Sequence, residues 1–200
     1  MKSITSFLLV LLSTSLLASL SINPSVFDNS KREMSSHQGE GRFSSYLSMD
    51  INYRPVKELF SKLEKELGVK LKNRGEAHIT VMTPVEYFDV LKEYVSITEI
   101  ENIARESKLQ SSRFSITCIG EGKFKELRTY YIVVKSQEIM DIRKKIEKLF
   151  LSRGGKINDF SAKKHHPHIT LGFTKRDLHE SDGVIKDDKT CRFELLPKID

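Results

Sequence analysis

The tripeptide His-Ile-Thr occurs twice in this chain, at positions 78–80 and 168–170. Side chains alternate along a β-strand, so each copy in a strand would project its His and Thr on one face and its Ile into the core. Each copy would then offer one proton carrier and one hydroxyl group. Two such pairs facing each other could hold a phosphate, with one histidine as general base and the other as general acid. The candidate site residues are His78, Thr80, His168 and Thr170.

The sequence before the first copy follows a regular order. Apolar residues alternate with polar ones over 46–52, which predicts a half-buried strand. Pro55 is typical of the first turn of a helix, and Gly68 is a natural stop after an apolar stripe at helical spacing. The first copy then begins a predicted strand over 77–82. The first unit is therefore predicted as strand, helix and motif strand.

The same order recurs before the second copy. Positions 129–135 are dense in β-branched and aromatic residues, which favours a strand buried on both faces. An apolar stripe from Ile139 to Phe150 predicts an amphipathic helix, and the second motif strand follows over 168–173. The larger repeat makes coincidence a poor explanation of the tripeptides.

The segment between the two units is predicted to hold a helical stretch and a further strand. The helical stretch covers 85–107 and is expected to break near Ser96. The strand over 114–118 is expected to pair antiparallel with 129–135, and the two would be joined through Gly120 and Gly122.

The N-terminus has the layout of a secretory signal peptide, with a basic start, an apolar run and small residues at its end. The run is interrupted by Ser13 and is short for a bilayer span, which disfavours an uncleaved anchor. We predict a signal peptide over 1–21, a flexible linker over 22–43 and one domain over 44–200. The protein is then expected to be secreted or extracytoplasmic, without stable membrane association after cleavage.

Export would place the chain where disulfides can form. Cys118 and Cys191 could therefore pair, but the sequence leaves this open. His165 and His166 stand beside the second copy without acidic or cysteine ligands at a useful spacing, so we expect a solvated turn and no metal site. His37 and His179 have no visible partners in the sequence and are expected to be non-catalytic. No cofactor is predicted.

The formal net charge is +6. Lys and Arg outnumber Asp and Glu between positions 123 and 176, which would attract a phosphorylated or nucleic-acid substrate. Most of the basic residues of the helix in that region are expected on its solvated face; they are Arg143, Lys144, Lys145 and Lys148.

The second copy and its flanks, His-Pro-His-Ile-Thr-Leu-Gly-Phe over 166–173, resemble the 2H phosphoesterase superfamily. The stretch 177–183 is similar to its Swiss-army-knife or RNA-repair-like branch, and the resemblance covers Tyr46 to Cys191. It implies an α+β, bilobal fold, with two pseudo-symmetric β-α-β lobes and antiparallel sheets around a central cleft. It also implies metal-independent chemistry on phosphodiesters, often 2′,3′-cyclic phosphates.

An in-line displacement at phosphorus needs a proton acceptor and a proton donor on opposite sides. We assign His78 as general acid toward the leaving oxygen and His168 as general base toward water, although symmetry would allow the reverse. Thr80 and Thr170 would donate hydrogen bonds to the non-bridging oxygens. The expected substrates are nucleotides, cyclic phosphates or RNA ends.

Three alternatives remain open, and in one of them the chain is a structural secreted domain in which the two His-Ile-Thr copies are coincidental. His166 and His168 resemble the His-x-His centre of histidine-triad hydrolases and nucleotidyltransferases, which need one motif only. A non-catalytic module could instead hold a nucleotide or phosphate ligand between the two copies.

Overall fold

A computed structural model describes residues 19–198. The strands are β1 (Ser19–Ile22), β2 (Leu47–Asp50), β3 (His78–Met82), β4 (Ser115–Phe124), β5 (Leu127–Lys135), β6 (His168–Phe173) and β7 (Cys191–Pro197). The α-helices are α1 (Tyr53–Leu67), α2 (Pro84–Glu86), α3 (Ile97–Glu106) and α4 (Gln137–Ser152).

These elements form a mixed α+β fold, as predicted. A five-stranded sheet has the order β1-β7-β4-β5-β6, and β2 and β3 form a separate two-stranded sheet. Each motif strand pairs antiparallel with the strand that precedes its helix. Asp50 lies opposite His78 in one pair, and Val133 lies opposite His168 in the other. The predicted order of strand, helix and motif strand is therefore confirmed for both units.

The helix between each strand and motif strand buries the stripe that the sequence predicts. Asn52 caps the start of α1, and Gly68 ends it with φ of 64°, a left-handed conformation that glycine adopts without strain. Ser136 caps α4 by accepting a hydrogen bond from the Ile139 amide at 3.2 Å. The buried residues of both helices join one hydrophobic core that includes residues of both sheets.

The helical stretch between the units is broken where the sequence predicts. α2 is followed by a π-helical turn, Tyr87–Leu91, and α3 begins after Ser96. Ser96 and Glu99 form a reciprocal capping box, in which each side chain accepts a hydrogen bond from the other's backbone amide.

β4 and β5 form the predicted antiparallel hairpin, but the two glycines do not join them. Gly120 and Gly122 lie inside β4, and the connection is the two-residue turn 125–126. A Cβ atom on Gly120 would come within 2.5 Å of the Tyr131 ring. Glycine is therefore required here by close packing across the strand pair, which a sequence pattern cannot distinguish from a turn.

The predicted signal peptide falls outside the described residues except for its last three, which belong to β1. β1 pairs parallel with β7 at the edge of the large sheet. No helix within the described range 19–198 is long and apolar enough to cross a membrane.

The segment that composition predicts to be a flexible linker, residues 22–43, lies against the domain in the structure. Val26 is fully buried, and Ser35 and Ser36 donate hydrogen bonds to Asp50 and Glu101. The contacts made by its serines are polar and depend on partners distant in the sequence. Hydrophobic periodicity, which locates the helices and strands, gives no sign of such contacts.

Cys118 in β4 and Cys191 in β7 form a disulfide, with their Cα atoms 5.7 Å apart. β4 and β7 are neighbouring antiparallel strands. The bond therefore links the start of β7 to the middle of the large sheet, and it answers the question that the sequence left open.

Candidate active site

The two motif strands present their side chains as the alternation predicts. Ile79 and Ile169 are fully buried. The histidines and threonines on either side of them are partly exposed, in the same pattern along β3 and β6. Each strand therefore offers one imidazole and one hydroxyl on its less buried face.

A hydrogen bond connects the residues just before the second motif with the first motif strand. The Nε2 atom of His165 lies 2.8 Å from the backbone oxygen of Thr80. A carbonyl can only accept, so Nε2 carries the hydrogen. Burial, followed by the nearby Arg143 guanidinium, lowers the pKa of His165 to about 4, so the ring is neutral at pH 7. His165 therefore holds the two strands together, whereas the sequence predicted a solvated turn.

Arg143 strengthens the same junction and is the exception among the basic residues of α4, because it is buried while Lys144, Lys145 and Lys148 are exposed. Its side chain is 0% exposed and donates to the carbonyl oxygen of Val81 at 2.6 Å. It also donates to the Ser161 carbonyl oxygen at 3.2 Å and to Glu86 Oε1 at 2.7 Å. α4 therefore contacts the end of β3 and the loop before β6 through one buried cation, whose partners lie far away in the sequence.

The other end of the junction is a backbone bridge. Lys72, shortly before β3, exchanges two hydrogen bonds with Phe173 at the end of β6, at 2.8 and 2.9 Å. A Cβ atom on Gly172 would lie 2.8 Å from the Phe60 ring and 3.0 Å from the Lys72 oxygen. Gly172 thus permits the close approach. Hydrogen bonds therefore connect the two motif strands, or the residues just outside them, at two places.

His168 is held in one tautomer. Its Nδ1 donates to the backbone oxygen of His166 at 2.8 Å, so Nε2 keeps its lone pair and accepts from Lys186 Nζ at 3.3 Å. The Tyr131 ring packs edge-on at 5.8 Å. Burial first, and the Lys186 charge second, hold the pKa of His168 well below its usual range. A neutral imidazole with an available Nε2 can act as a general base.

Asp177 organises the groups around His168. It accepts hydrogen bonds from five donors: Thr129 Oγ1 (2.6 Å), the Leu178 amide (2.9 Å), Lys186 Nζ (3.0 Å), Thr170 Oγ1 (3.3 Å) and Arg74 Nη2 (3.4 Å). Lys186 and these hydrogen bonds outweigh burial and lower the pKa of Asp177, so the carboxylate is charged at neutral pH. Arg74 precedes β3, so this carboxylate also links the surroundings of the two motifs.

His78 has a different environment. Its Nδ1 lies 3.5 Å from Glu76 Oε1, and its side chain is 17% exposed. Burial lowers its pKa, the Glu76 carboxylate opposes that effect, and Arg74 adds to it. The Glu76 carboxylate favours the protonated form that a general acid needs, but burial outweighs it and the pKa of His78 lies below its usual value.

The sequence did not place two residues that lie near the motifs. Lys186 lies in a loop without periodicity, and His37 lies in the predicted linker. His37 stacks on Tyr46 with ring centres 3.9 Å apart, and Tyr46 lies 6.3 Å from His78. The sequence shows no partner for His37, and the prediction that it is non-catalytic stays a prediction. No signal in the local sequence could have placed either residue, because each reaches its motif through the tertiary fold.

A metal centre has no support in the described part of the chain, residues 19–198. No three His, Cys, Asp or Glu side chains are grouped there in a way that could hold a metal ion. The arrangement instead supplies imidazoles, hydroxyls and cations, which are the groups that bind phosphate and move protons.

Comparison with known proteins identifies a family for this chain. A family model described as the Swiss Army Knife, 2H phosphoesterase domain matches residues 45–179, which include both motifs and Asp177. No curated protein and no solved structure shows a significant match. The matched residues cover most of the chain, and the chain belongs to the 2H phosphoesterase superfamily, in its Swiss Army Knife branch.

Proposed function

We propose that this phosphoesterase hydrolyses cyclic phosphodiesters, such as 2′,3′-cyclic nucleotides or cyclic-phosphate RNA ends, by two-histidine acid–base catalysis. The observation that carries the proposal is the unequal environment of the two histidines. His168 is fixed as a neutral ring with Nε2 as acceptor. His78 lies beside the Glu76 carboxylate.

In the first half of the reaction, His168 Nε2 accepts a proton from water as the water oxygen bonds to phosphorus. The hydrogen bond from Nδ1 to the His166 carbonyl strengthens as the ring becomes positive, because the donor then carries charge. Asp177, which is anionic and close to the ring, favours the same charged form.

In the second half, the bond from phosphorus to the 2′ or 3′ oxygen breaks, and His78 gives that oxygen a proton. The products are a phosphomonoester and a free hydroxyl, so water is consumed and no other reactant is needed. Thr80 and Thr170 would donate to the non-bridging oxygens as charge develops. Thr170 would exchange its long bond to Asp177, 3.3 Å, for the substrate.

The proposal includes a two-lobed arrangement, in which the pseudo-symmetric units of β3 and β6 place their histidines across one cleft. In-line displacement requires this placement, because attacking and leaving oxygens lie on opposite sides of phosphorus. The proposal also includes export, with RNA fragments or cyclic nucleotides outside the cytoplasm as substrates. Cleavage after Ala18 would leave β1 intact, whereas cleavage after Ser21 would remove most of it.

The test is turnover by the chain in the presence of a chelator. The substrates are 2′,3′-cyclic nucleotides, cyclic-phosphate RNA and ADP-ribose cyclic phosphate, and the variants are His78→Ala and His168→Ala. Each variant should lose at least about a hundredfold in kcat, the scale of one general acid or base. Thr98→Val, an exposed change on α3, serves as the unaffected control.

Other outcomes identify the alternatives. Full activity in His78→Ala with loss in His166→Ala and His168→Ala would favour a histidine-triad-like reaction. Tight calorimetric binding with the ligand unchanged after long incubation would favour a binding module. Full turnover in both His78→Ala and His168→Ala would contradict the proposed mechanism.

A further inference from the structure

We infer that Lys186 is a third catalytic group, a cation that binds the substrate phosphate beside His168. The inference rests on the proposed function and adds a residue to it. Lys186 lies beyond residues 45–179, which the family model matches, so family membership does not assign it a role.

The position of the ammonium group is the first argument. Lys186 Nζ lies 3.0 Å from Asp177 Oδ1 and 3.3 Å from His168 Nε2. Its side chain is 5% exposed, and it also lies over the Tyr131 ring at 5.4 Å. Any phosphoryl oxygen that approaches His168 Nε2 with its attacking water must therefore come close to this cation.

The number of hydrogen bonds that the Lys186 ammonium group can donate is the second argument. An ammonium group has three hydrogens to donate and cannot accept. Asp177 and His168 Nε2 accept two of them in the free protein. When His168 Nε2 takes a proton from water, it can no longer accept from Lys186. A non-bridging phosphate oxygen is an anionic acceptor that could replace it, and the hydrogen bond would strengthen as charge accumulates on phosphorus. Lys186 stays protonated throughout and transfers no proton.

The anchoring of this side chain is the third argument. Asp177 is aimed by the Thr129 hydroxyl and the Leu178 amide, at 2.6 and 2.9 Å. Shortly after Lys186, Thr190 accepts a hydrogen bond from Tyr131 at 2.8 Å, and the disulfide at Cys191 follows. The loop that carries Lys186 is thus fixed to the sheet that carries His168. A cation so fixed costs little reorganisation when charge develops beside it.

A simpler role for Lys186 is to neutralise Asp177, whose carboxylate is 7% exposed. That role predicts an effect on stability and on the pKa of His168, but not on phosphate affinity or on kcat once His168 is in its neutral form. The two roles therefore differ in measurable quantities.

The experiment compares Lys186→Met with Lys189→Met, an exposed change in the same loop. The measurements are kcat and KM across pH, and the calorimetric affinity for adenosine 2′- and 3′-monophosphate. Lys186→Met should lower kcat by roughly 10²–10³ at every pH, the scale of one oxyanion donor. It should also weaken monophosphate binding at least tenfold, and Lys186→Arg should recover part of both losses. Lys189→Met should match the unmodified chain.

Two results would overturn the inference. One is a Lys186→Met variant with kcat and monophosphate affinity within about threefold of the unmodified chain. The other is a shifted pH profile with an unchanged plateau, which would make Lys186 a positioning residue. If Lys186→Met does not fold, ¹⁵N-lysine NMR of the unmodified chain decides: the Lys186 Nζ signal should shift when monophosphate is added, and an unchanged signal would refute the inference.

The role of Lys186 and the two-histidine mechanism can be tested independently of each other. Loss of turnover in His78→Ala and His168→Ala with full activity in Lys186→Met would reject the role of Lys186 alone. Turnover unaffected by either histidine substitution, with weaker phosphate binding in Lys186→Met, would reject the two-histidine mechanism and retain the phosphate site.

Discussion

The two His-Ile-Thr copies have the same residues and the same alternation of burial, yet their surroundings differ. Around His168 the partners are buried, since Asp177 and Lys186 are 7% and 5% exposed. Beside His78 the charged partner is half exposed, with Glu76 at 54%. The tripeptide therefore determines that each strand offers an imidazole and a hydroxyl group. The protonation of each imidazole depends on the residues that the fold places beside it.

The difference follows from elementary electrostatics. Removal of His168 from water makes its charged form unfavourable, and the buried Lys186 cation beside it adds to this effect. Burial also disfavours the charged form of His78, but there the nearby Glu76 carboxylate opposes the effect. The comparison predicts that groups around His168 matter for both folding and chemistry, while those around His78 contribute little to folding.

The largest effect should come from removing the carboxylate on the His168 side. Asp177→Ala leaves Lys186 buried without its anionic partner, which should lower the free energy of unfolding by about 3–5 kcal/mol. Glu76→Ala, on the His78 side, should lower it by less than about 1 kcal/mol, because the partner is exposed. Denaturant unfolding of both variants measures the difference. Equal losses would show that the two environments are energetically alike.

A smaller effect should come from the hydrogen bond that joins the two motif strands. His165→Ala leaves the Thr80 carbonyl without its partner and should cost about 1–3 kcal/mol of unfolding free energy. His166→Ala removes the adjacent ring but retains the carbonyl that His168 needs, so its cost should stay within about 0.5 kcal/mol. Denaturation at pH 7.5 measures both, and a costlier His166→Ala would contradict the assignment of the strand junction.

The cost of His165→Ala should also depend on pH. The pKa of His165 is about 4 in the folded chain, against 6.5 for an unperturbed histidine. The unfolded state therefore binds more protons between these values, and the stability from His165 falls as pH drops from about 6.5 toward 4. The gap between the unmodified chain and His165→Ala should narrow over that range, by at most about 1.4 kcal/mol per pH unit. A constant gap would place the pKa of His165 elsewhere.

The sequence predicts most of the fold and the positions of both motifs. Alternation located β2, the His-Ile-Thr copies located β3 and β6, and apolar stripes located α1 and α4, because these signals arise from residues close together in the chain. Gly120 and Gly122 were predicted to form a turn, but they lie inside β4. Glycine serves both turns and close packing, and the Tyr131 ring that requires Gly120 lies on the partner strand.

The surroundings of the site could not be read from the sequence, because their partners are distant in it. The sequence of α4 gives no sign that Arg143 is buried. In the structure it donates hydrogen bonds to the Val81 carbonyl oxygen and to Glu86. Lys186 lies in a loop and acquires its place only through Asp177. His37 reaches the His78 side through its stacking on Tyr46. The motifs predict the reacting groups, while tertiary contacts supply the groups that orient them and shift their pKa values.

The most direct test of this account is the protonation of the two motif histidines. In an NMR titration of ¹⁵N-histidine-labelled chain, with His78→Ala and His168→Ala for assignment, both rings should titrate below the usual value for histidine. His168 should show the Nδ1–H tautomer and the lower apparent pKa, because burial, Lys186 and His165 lower it more than Asp177 raises it. His78 faces Glu76, Arg74, Asp50 and His37 and should protonate at higher pH. A His168 ring that is protonated while His78 is neutral, or that carries its hydrogen on Nε2, would contradict the account.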